Sequence, residues 1–443
     1  MTTIAREKTH LSGRWTAVAI FFGFMLLHQI DRLLIGPLTN DIMTTFNINY
    51  AQMGAVTTGA LLVGTFLYPV WGWLYDRFSR AKLLSLASLI WGSTTWLAAI
   101  APTYPLFVAA RASTGIDDSS YPGIYSLIGD YFKPSQRGKI YGLLQLTSPI
   151  GYLIGMVMAL FLGGAIGWRN IFIITGSLGI VMAVVMYFGL KEAPRGQSEP
   201  EMEGMEEITT HRFEWKKAVD VVKIRTMWMI FIQGFFGVIP WNVITYWFFV
   251  YLERERGYDS GAILMTMAPA VIIMAIGYPV GGALGDWLFK KTKRGRIIIA
   301  TFGVIMGALL LYLTMIVPLG DQYQTQFMIM LCLAAFFIPW PAANVLSTIY
   351  DITLPEIRST ANAVESMIEN FGAAFAPLIA GIVADAFSLQ LAIIYLCTGA
   401  WLLCFITFFL SMYFIPFDID KLRNFMAKRA KEEREITAAP QGS

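Results

Sequence analysis

Long apolar stretches separated by short polar breaks dominate the chain. Runs near the roughly 20 residues that cross hydrocarbon as a helix fall at about 14–40, 51–75, 82–101, 106–131, 138–162 and 168–190. Six more follow at about 226–251, 260–288, 296–318, 327–350, 359–386 and 390–415. Backbone polar groups find no water inside a bilayer, so each run is expected to be helix. The pattern predicts an all-α integral membrane fold of twelve transmembrane helices. Its one long internal break, 191–225, opens acidic (Glu199, Glu201, Glu203, Glu206, Glu207) and turns basic (Lys216, Lys217, Lys223, Arg225). Phe213 to Arg225 reads equally as an amphipathic helix on the membrane face or as a solvated linker. The chain thus divides into 1–190, a linker 191–225, a second helical half 226–417, and a charged tail 418–443.

Composition and charge sharpen this. The 443 residues are 56% hydrophobic and 14% charged, against about 25% charged in a soluble domain. Too few polar residues remain to cover a soluble surface. The net charge of +3 is spread over short clusters, which excludes a nucleic-acid surface. Basic residues orient the spans. With both termini cytoplasmic, inner segments hold 28 of the 33 Lys and Arg; the outer loops hold Arg169, Arg254 and Arg256, and the spans hold Arg32 and Arg111. This places the chain in an inner (cytoplasmic) membrane. No A-x-A-like site follows the first apolar run, so that run is expected to be an uncleaved span.

Cys332, Cys397 and Cys404 form no CxxC pair, and His10, His28 and His211 are scattered. No metal or cofactor is expected. HExxH, G-x-S-x-G and G-x-x-x-x-G-K-[ST] patterns are missing, which argues against a membrane enzyme and an ATP-driven pump.

Two motifs recur at corresponding loops. Gly72-Trp-Leu-Tyr-Asp76 matches Gly282-Ala-Leu-Gly-Asp286. Basic clusters follow both: Arg77, Arg80 and Lys82, then Lys290, Lys291, Lys293 and Arg294. Asp130-x-x-x-Pro134-x-x-Arg137 matches Asp351-x-x-x-Pro355-x-x-Arg358. Two matches in register mean a six-plus-six duplication. Gly72 to Lys82, read G-x-x-x-D-R-x-x-R-x-K, resembles the signature loop of major facilitator transporters, with Ser79 where the family usually has Gly and Trp287 replacing Arg in the second copy. The resemblance covers nearly the whole chain. It implies two six-helix bundles around a central substrate cavity, worked by alternating access. It also implies a gating latch made by Gly72, Asp76, Arg77, Arg80, Asp130, Arg137, Asp286, Asp351 and Arg358.

Charges inside a span cost a few kcal/mol on insertion scales, so each needs a reason. They are Asp31 and Arg32 on the first run, Arg111, Asp117 and Asp118 on the fourth, and Glu365 and Glu369 on the eleventh. Adjacent on a helix, Asp31 and Arg32 point about 100° apart and cannot face one partner. Arg111 and Asp118 are two turns apart on one face. His28-Gln-Ile-Asp31-Arg32 resembles the N-Y-x-D-R segment of the anion:cation symporter and Spinster branches. Arg111 to Gly123 resembles their R-x-x-x-G-x-G-E-x-x-x-P-G, with Asp118 at the glutamate and Asp117 at a usually small position. Gly167-Trp168-Arg169 with Ile171-Phe172 resembles the symporter branch.

The resemblance implies that Arg32 binds the substrate anion with Arg111 in support, and that Asp31 and Asp118 carry protons. Asp117 and Glu369 are further candidates for protons. A static network of buried ion pairs is the alternative for these charges. Trp241, Asn242, Tyr246, Trp340 and Asn344 are candidate cavity-wall residues. His28 reads as a packed histidine. Gly151-x-x-x-Gly155 and Gly277-x-x-x-Gly281 predict close helix packing. The expected activity is proton-coupled symport of a small organic anion by a monomer, its partners being substrate, protons and lipid. Spinster-like transport of a lysolipid or other amphiphile, drug antiport, and a non-transporting membrane sensor are the alternatives.

Overall fold

A computed structural model of the chain describes residues 13–132, 140–141, 143–193, 223–353 and 358–438. Candidate Arg137 and the motif prolines Pro134 and Pro355, with most of the 191–225 linker, lie outside these residues. The described chain is helical throughout. Eleven helices among the described residues are long and apolar enough to cross a membrane. Large apolar side chains cover their outer faces, with Phe188, Phe387 and Met265 more than two-thirds exposed. Such surface is stable only against lipid.

The first half contains α1 (Arg14–Phe46), α2 (Tyr50–Arg77), α3 (Arg80–Ile100), α4 (Tyr104–Asp118), α5 (Pro122–Tyr131), α6 (Thr147–Ile166) and α7 (Trp168–Gly189). The second contains α8 (Arg225–Gly237), α9 (Ile239–Val250), α10 (Ser260–Phe289), α11 (Gly295–Met315), α12 (Gln324–Phe337), α13 (Trp340–Ile352), α14 (Arg358–Ala386), α15 (Leu389–Ile393) and α16 (Gly399–Ala438).

The eleven differ from the twelve runs of the sequence at one place. The fourth run is two helices, α4 and α5, joined by a turn at Ser119–Tyr121. Neither piece alone spans about 30 Å of hydrocarbon. Pro122 lacks an N–H and opens α5 in its first turn, the helical position that tolerates proline. The tenth run breaks at a corresponding place. There Pro339 precedes α13, and Pro341 sits in its first turn. Pro269 and Pro279, by contrast, lie inside an unbroken α10.

Two compact units result. The first joins Met1–His211 with Asn242–Ala268 and Ala373–Ile393. Within it α3 packs along α7, α2 along α4, and α1 along α6 and α7. Gly151 and Gly155 let α6 close on α1, where an added Cβ would sit 2.8 Å from Gln29 Cβ and 3.1 Å from the Ile30 carbonyl. Segments 242–268 and 373–393 belong here through polar ties. The Trp247 indole donates to Pro377 O at 3.0 Å, and Asp385 accepts from the Ala51 N–H at 2.7 Å and the Tyr50 N–H at 3.0 Å. The second unit comprises Arg212–Trp241, Pro269–Gly372 and Ile394–Ser443. In it α11 packs against α12, α13 and α16, and α8 lies along α16.

Candidate functional site

Inside the first unit, His28, Asp31, Arg32, Arg111, Asp118 and Tyr246 line one pocket with apolar residues of α2. Its free space is about 20 Å³, room for roughly one water. His28, Asp31 and Arg32 share a face of α1 because they stand at i, i+3 and i+4. The offset between Asp31 and Arg32 is used as the sequence requires. Asp31 turns to α3 and α7, accepting from Thr175 Oγ1 at 2.6 Å, Trp91 Nε1 at 3.0 Å and Thr95 Oγ1 at 3.1 Å. Arg32 turns to Asp118 and Tyr246.

Arg111 and Asp118 line the same pocket but form no ion pair with one another among the described residues. The Nη1 of Arg111 is 3.9 Å from Asp31 Oδ2, and its guanidinium lies over the Phe172 ring at 5.4 Å. It is 5% exposed, and its Nε and Nη1 have no hydrogen-bond partner among the described residues. The α4–α5 break carries the acids. Asp117 Oδ2 lies 2.6 Å from His28 Nε2, and Asp118 Oδ1 lies 3.4 Å from the same nitrogen. His28 Nδ1 is 2.6 Å from the Tyr121 hydroxyl.

The remaining candidates lie elsewhere. Trp340 packs against Phe302, Phe336 and Phe337. The Asn344 amide donates to the carbonyls of Trp340 (2.8 Å) and Gly281 (3.0 Å). Both side chains make these contacts within the second unit. Trp241 is 39% exposed, Asn242 is buried, and neither lines the described pocket. Glu365 and Glu369 face one another on α14, beside Gly234 of α8.

Gating candidates form ion networks inside each unit. Arg80 pairs with Asp130 and, at 2.8 Å, with Glu192, and also donates to Ser126 Oγ and Ala193 O. In the second unit Arg296 pairs with Asp351 and, at 2.8 Å, with Asp286. The partner of the second copy is thus Arg296, not the Lys290–Arg294 cluster. Arg77 stacks on the Trp73 ring at 4.4 Å. Gly72 has open space where a Cβ would go. Ser79 caps α3 and donates to Glu192 at 2.8 Å, so the hydroxyl does more here than a glycine could. The side chains of Asp76 and Arg358 lie outside the described set.

Sequence reasoning read His28 only as a packed side chain and passed over Tyr121, Glu192 and Arg296. The i, i+3, i+4 spacing of His28 with Asp31 and Arg32 was the available signal. Glu192 and Arg296 join their networks only through tertiary packing.

In this helical membrane protein a broken acidic helix thus meets a helix bearing Asp31 and Arg32. The chain belongs to the Major Facilitator Superfamily, which it matches over residues 20–320. It is a multi-pass membrane transport protein and not an enzyme. It is 26% identical over 398 residues to protein spinster of Drosophila melanogaster, covering 84% of this chain and 62% of that protein's length. It is 25% identical over 361 residues to a probable sulfoacetate transporter, SauU, of Cupriavidus necator, covering 78% of this chain and 81% of the relative. The fold matches a crystal structure of a bacterial homologue of the human lysosomal transporter Spinster, in an inward-facing, unoccupied conformation. The TM-score is 0.76 at 18% identity, covering 91% of this chain and 98% of the other.

Proposed function

We propose that this chain is a secondary transporter that carries a small organic anion together with protons, by alternating access. Arg111 supports the reading most directly. It is a buried guanidinium lining a pocket, with two donor atoms unmet among the described residues. A buried unmet donor costs about 1–3 kcal/mol, more when charged. An oxyanion in the pocket removes that cost. Arg32 lines the same pocket, and a carboxylate or sulfonate can accept from both guanidinium forks. Similarity to a probable sulfoacetate transporter supports a small water-soluble anion. The pocket's present space admits only about one water, so the anion enters a wider state.

Asp118, with 17% of its side chain exposed, takes the coupling proton. An anion that engages Arg32 draws that cation from Asp118, and the carboxylate then binds a proton. Asp31, held by three neutral donors, keeps α1 in register with α3 and α7. Twelve spans, the broken fourth included, leave both termini on the cytoplasmic side of the inner membrane.

Proteoliposomes with an internal pH dye test this against sulfoacetate, sugar acids, small carboxylates and lysolipids. Acidification by one water-soluble anion, lost in Arg32→Ala, is expected. A response to lysolipids alone would replace the reading with Spinster-like amphiphile transport. Silence across the panel would remove proton coupling.

A further inference from the structure

Anion binding leaves His28 and Asp117 without a task, although both sit at the site. His28 is 3% exposed, and the Asp117 side chain is fully buried. Each imidazole nitrogen has a partner: Nε2 with Asp117 Oδ2, and Nδ1 with the Tyr121 hydroxyl, both at 2.6 Å. Asp117 Oδ1 has no hydrogen-bond partner among the described residues.

This geometry accommodates two protonation states. With the imidazole neutral, Nε2–H donates to Asp117 and the Tyr121 O–H donates to Nδ1. With it charged, Nε2–H still donates to Asp117, while Nδ1–H donates to the Tyr121 oxygen and the phenolic hydrogen turns away. Gaining or losing a proton then costs one hydroxyl rotation and leaves neither nitrogen unpaired.

Charge balance points the same way. Asp31, Asp117 and Asp118 bring three carboxylates to the site, and Arg32 and Arg111 bring two guanidiniums. With all three carboxylates ionised and the imidazole neutral, one negative charge is left over, and unbalanced buried charge is costly. The groups facing His28 are Asp117, Asp118 and Tyr121 from the fourth run, Arg32 from its own helix, and the Trp91 ring of α3 at 5.3 Å. Tyr246 of α9 and Arg111 line the same pocket. Asp117 and Asp118 both lie within 3.4 Å of Nε2.

We propose that His28 and Asp117 form a second proton-holding site behind the pocket, so that this carrier takes up one more proton per anion than Asp118 alone would hold. The stoichiometry rests on the anion-transport reading; proton binding by His28 does not. The two are therefore tested separately.

For the site itself, the full chain carrying His10→Gln and His211→Gln is placed in lipid nanodiscs with nitrogen-15-labelled histidine. The His28 signals are followed by NMR between about pH 5 and 9. One titration is expected, with its midpoint moved to lower pH by about one unit or more in Asp117→Asn. Tyr121→Phe removes the rotating hydroxyl and should also displace the midpoint, which covers the case of a misfolded Asp117 variant. A signal fixed in one state across the range overturns the proposal, as does a midpoint indifferent to both variants. A spectrum altered by a metal chelator also overturns it, because His28, Asp117 and Asp118 would then be holding a cation.

For the stoichiometry, the proton-to-anion ratio is measured in proteoliposomes with sulfoacetate as probe. His28→Gln is expected to lower it by one. An unchanged ratio overturns the proposal and leaves anion transport standing.

Discussion

The fourth and tenth apolar runs break at corresponding places, yet the two breaks are filled with opposite chemistry. At the α4–α5 joint, Asp117 and Asp118 face His28, and Tyr121 closes the imidazole's other side. At the α12–α13 joint, Phe337 and Trp340 pack against the Phe302 ring, Phe336 packs against both of them, and the Asn344 amide is spent on two backbone carbonyls. Proline supplies the interruption in both. A broken helix inside a membrane frees backbone groups and makes room; side chains then decide whether the room becomes a site or a packed joint. The same backbone device thus carries different side chains in the two places.

The largest effect should come from emptying the packed joint. Trp340→Ala removes a ring that touches three aromatic neighbours and covers Gly281, where an added Cβ would lie 2.6 Å from Trp340 Cα. The expected cost is about 3–5 kcal/mol of stability, read as a lowered melting temperature in detergent. Transport per folded molecule should hold. If transport fails while the melt is unchanged, the second joint is a site as well and the contrast collapses.

Next comes the polar pocket. Arg111→Ala should weaken anion binding by roughly 10- to 150-fold, the worth of one charge-assisted hydrogen bond. Arg111→Lys should recover only part, since an ammonium cannot present a fork. Isothermal calorimetry with the transported anion reads both. Equal affinity in Arg111→Ala would reduce this residue to a partner for Asp31.

How much of this was legible from residues alone follows the range of the interactions. Helix positions were readable because hydrocarbon thickness imposes a length on every span. The break at Ser119–Tyr121 was hidden by apolar residues on both sides, although Pro122 marked it. Asp31 and Arg32 diverge as their adjacency requires. Which arginine meets which acid was not readable: Arg111 and Asp118 share a helix face two turns apart, but packing of α4 on α2 and α3 sends Arg111 toward Asp31. His28 looked like an ordinary buried histidine because its acidic partner lies 89 residues away. Glu192 escaped for the same reason, standing 112 residues from Arg80.

Asp31 and Asp118 offer a finer contrast within the pocket. Asp31→Asn keeps shape but turns one acceptor into a donor facing Thr and Trp donors, so it should cost about 1–2 kcal/mol of stability. Asp118→Asn should leave stability nearly unchanged and permit anion exchange, while proton-driven accumulation is lost. Accumulation surviving in Asp118→Asn but failing in Asp31→Asn would reverse the two roles.

The smallest expected effect separates the two ion networks, which differ in where their second acid comes from. Arg80 engages Asp130 and Glu192, whereas Arg296 engages Asp351 and Asp286. Burial pushes the Glu192 carboxyl up, but the Ala81 N–H and donors from Arg80 and Ser79 outweigh it and hold the carboxyl below the usual carboxylate range. A value lowered on folding means the unfolded chain binds the proton more tightly. The stabilisation is therefore complete above the unfolded value of about 4.3 and is lost as pH falls through the lower folded one. Glu192 is 37% exposed on its side chain, so solvent screening limits the gain to under about 1 kcal/mol. Melting temperatures of wild type and Glu192→Gln should differ at neutral pH and converge in acid below about pH 4. Parallel curves across that range would mean that Asp130 alone anchors Arg80, and that the first network, unlike the second, rests on a single acid.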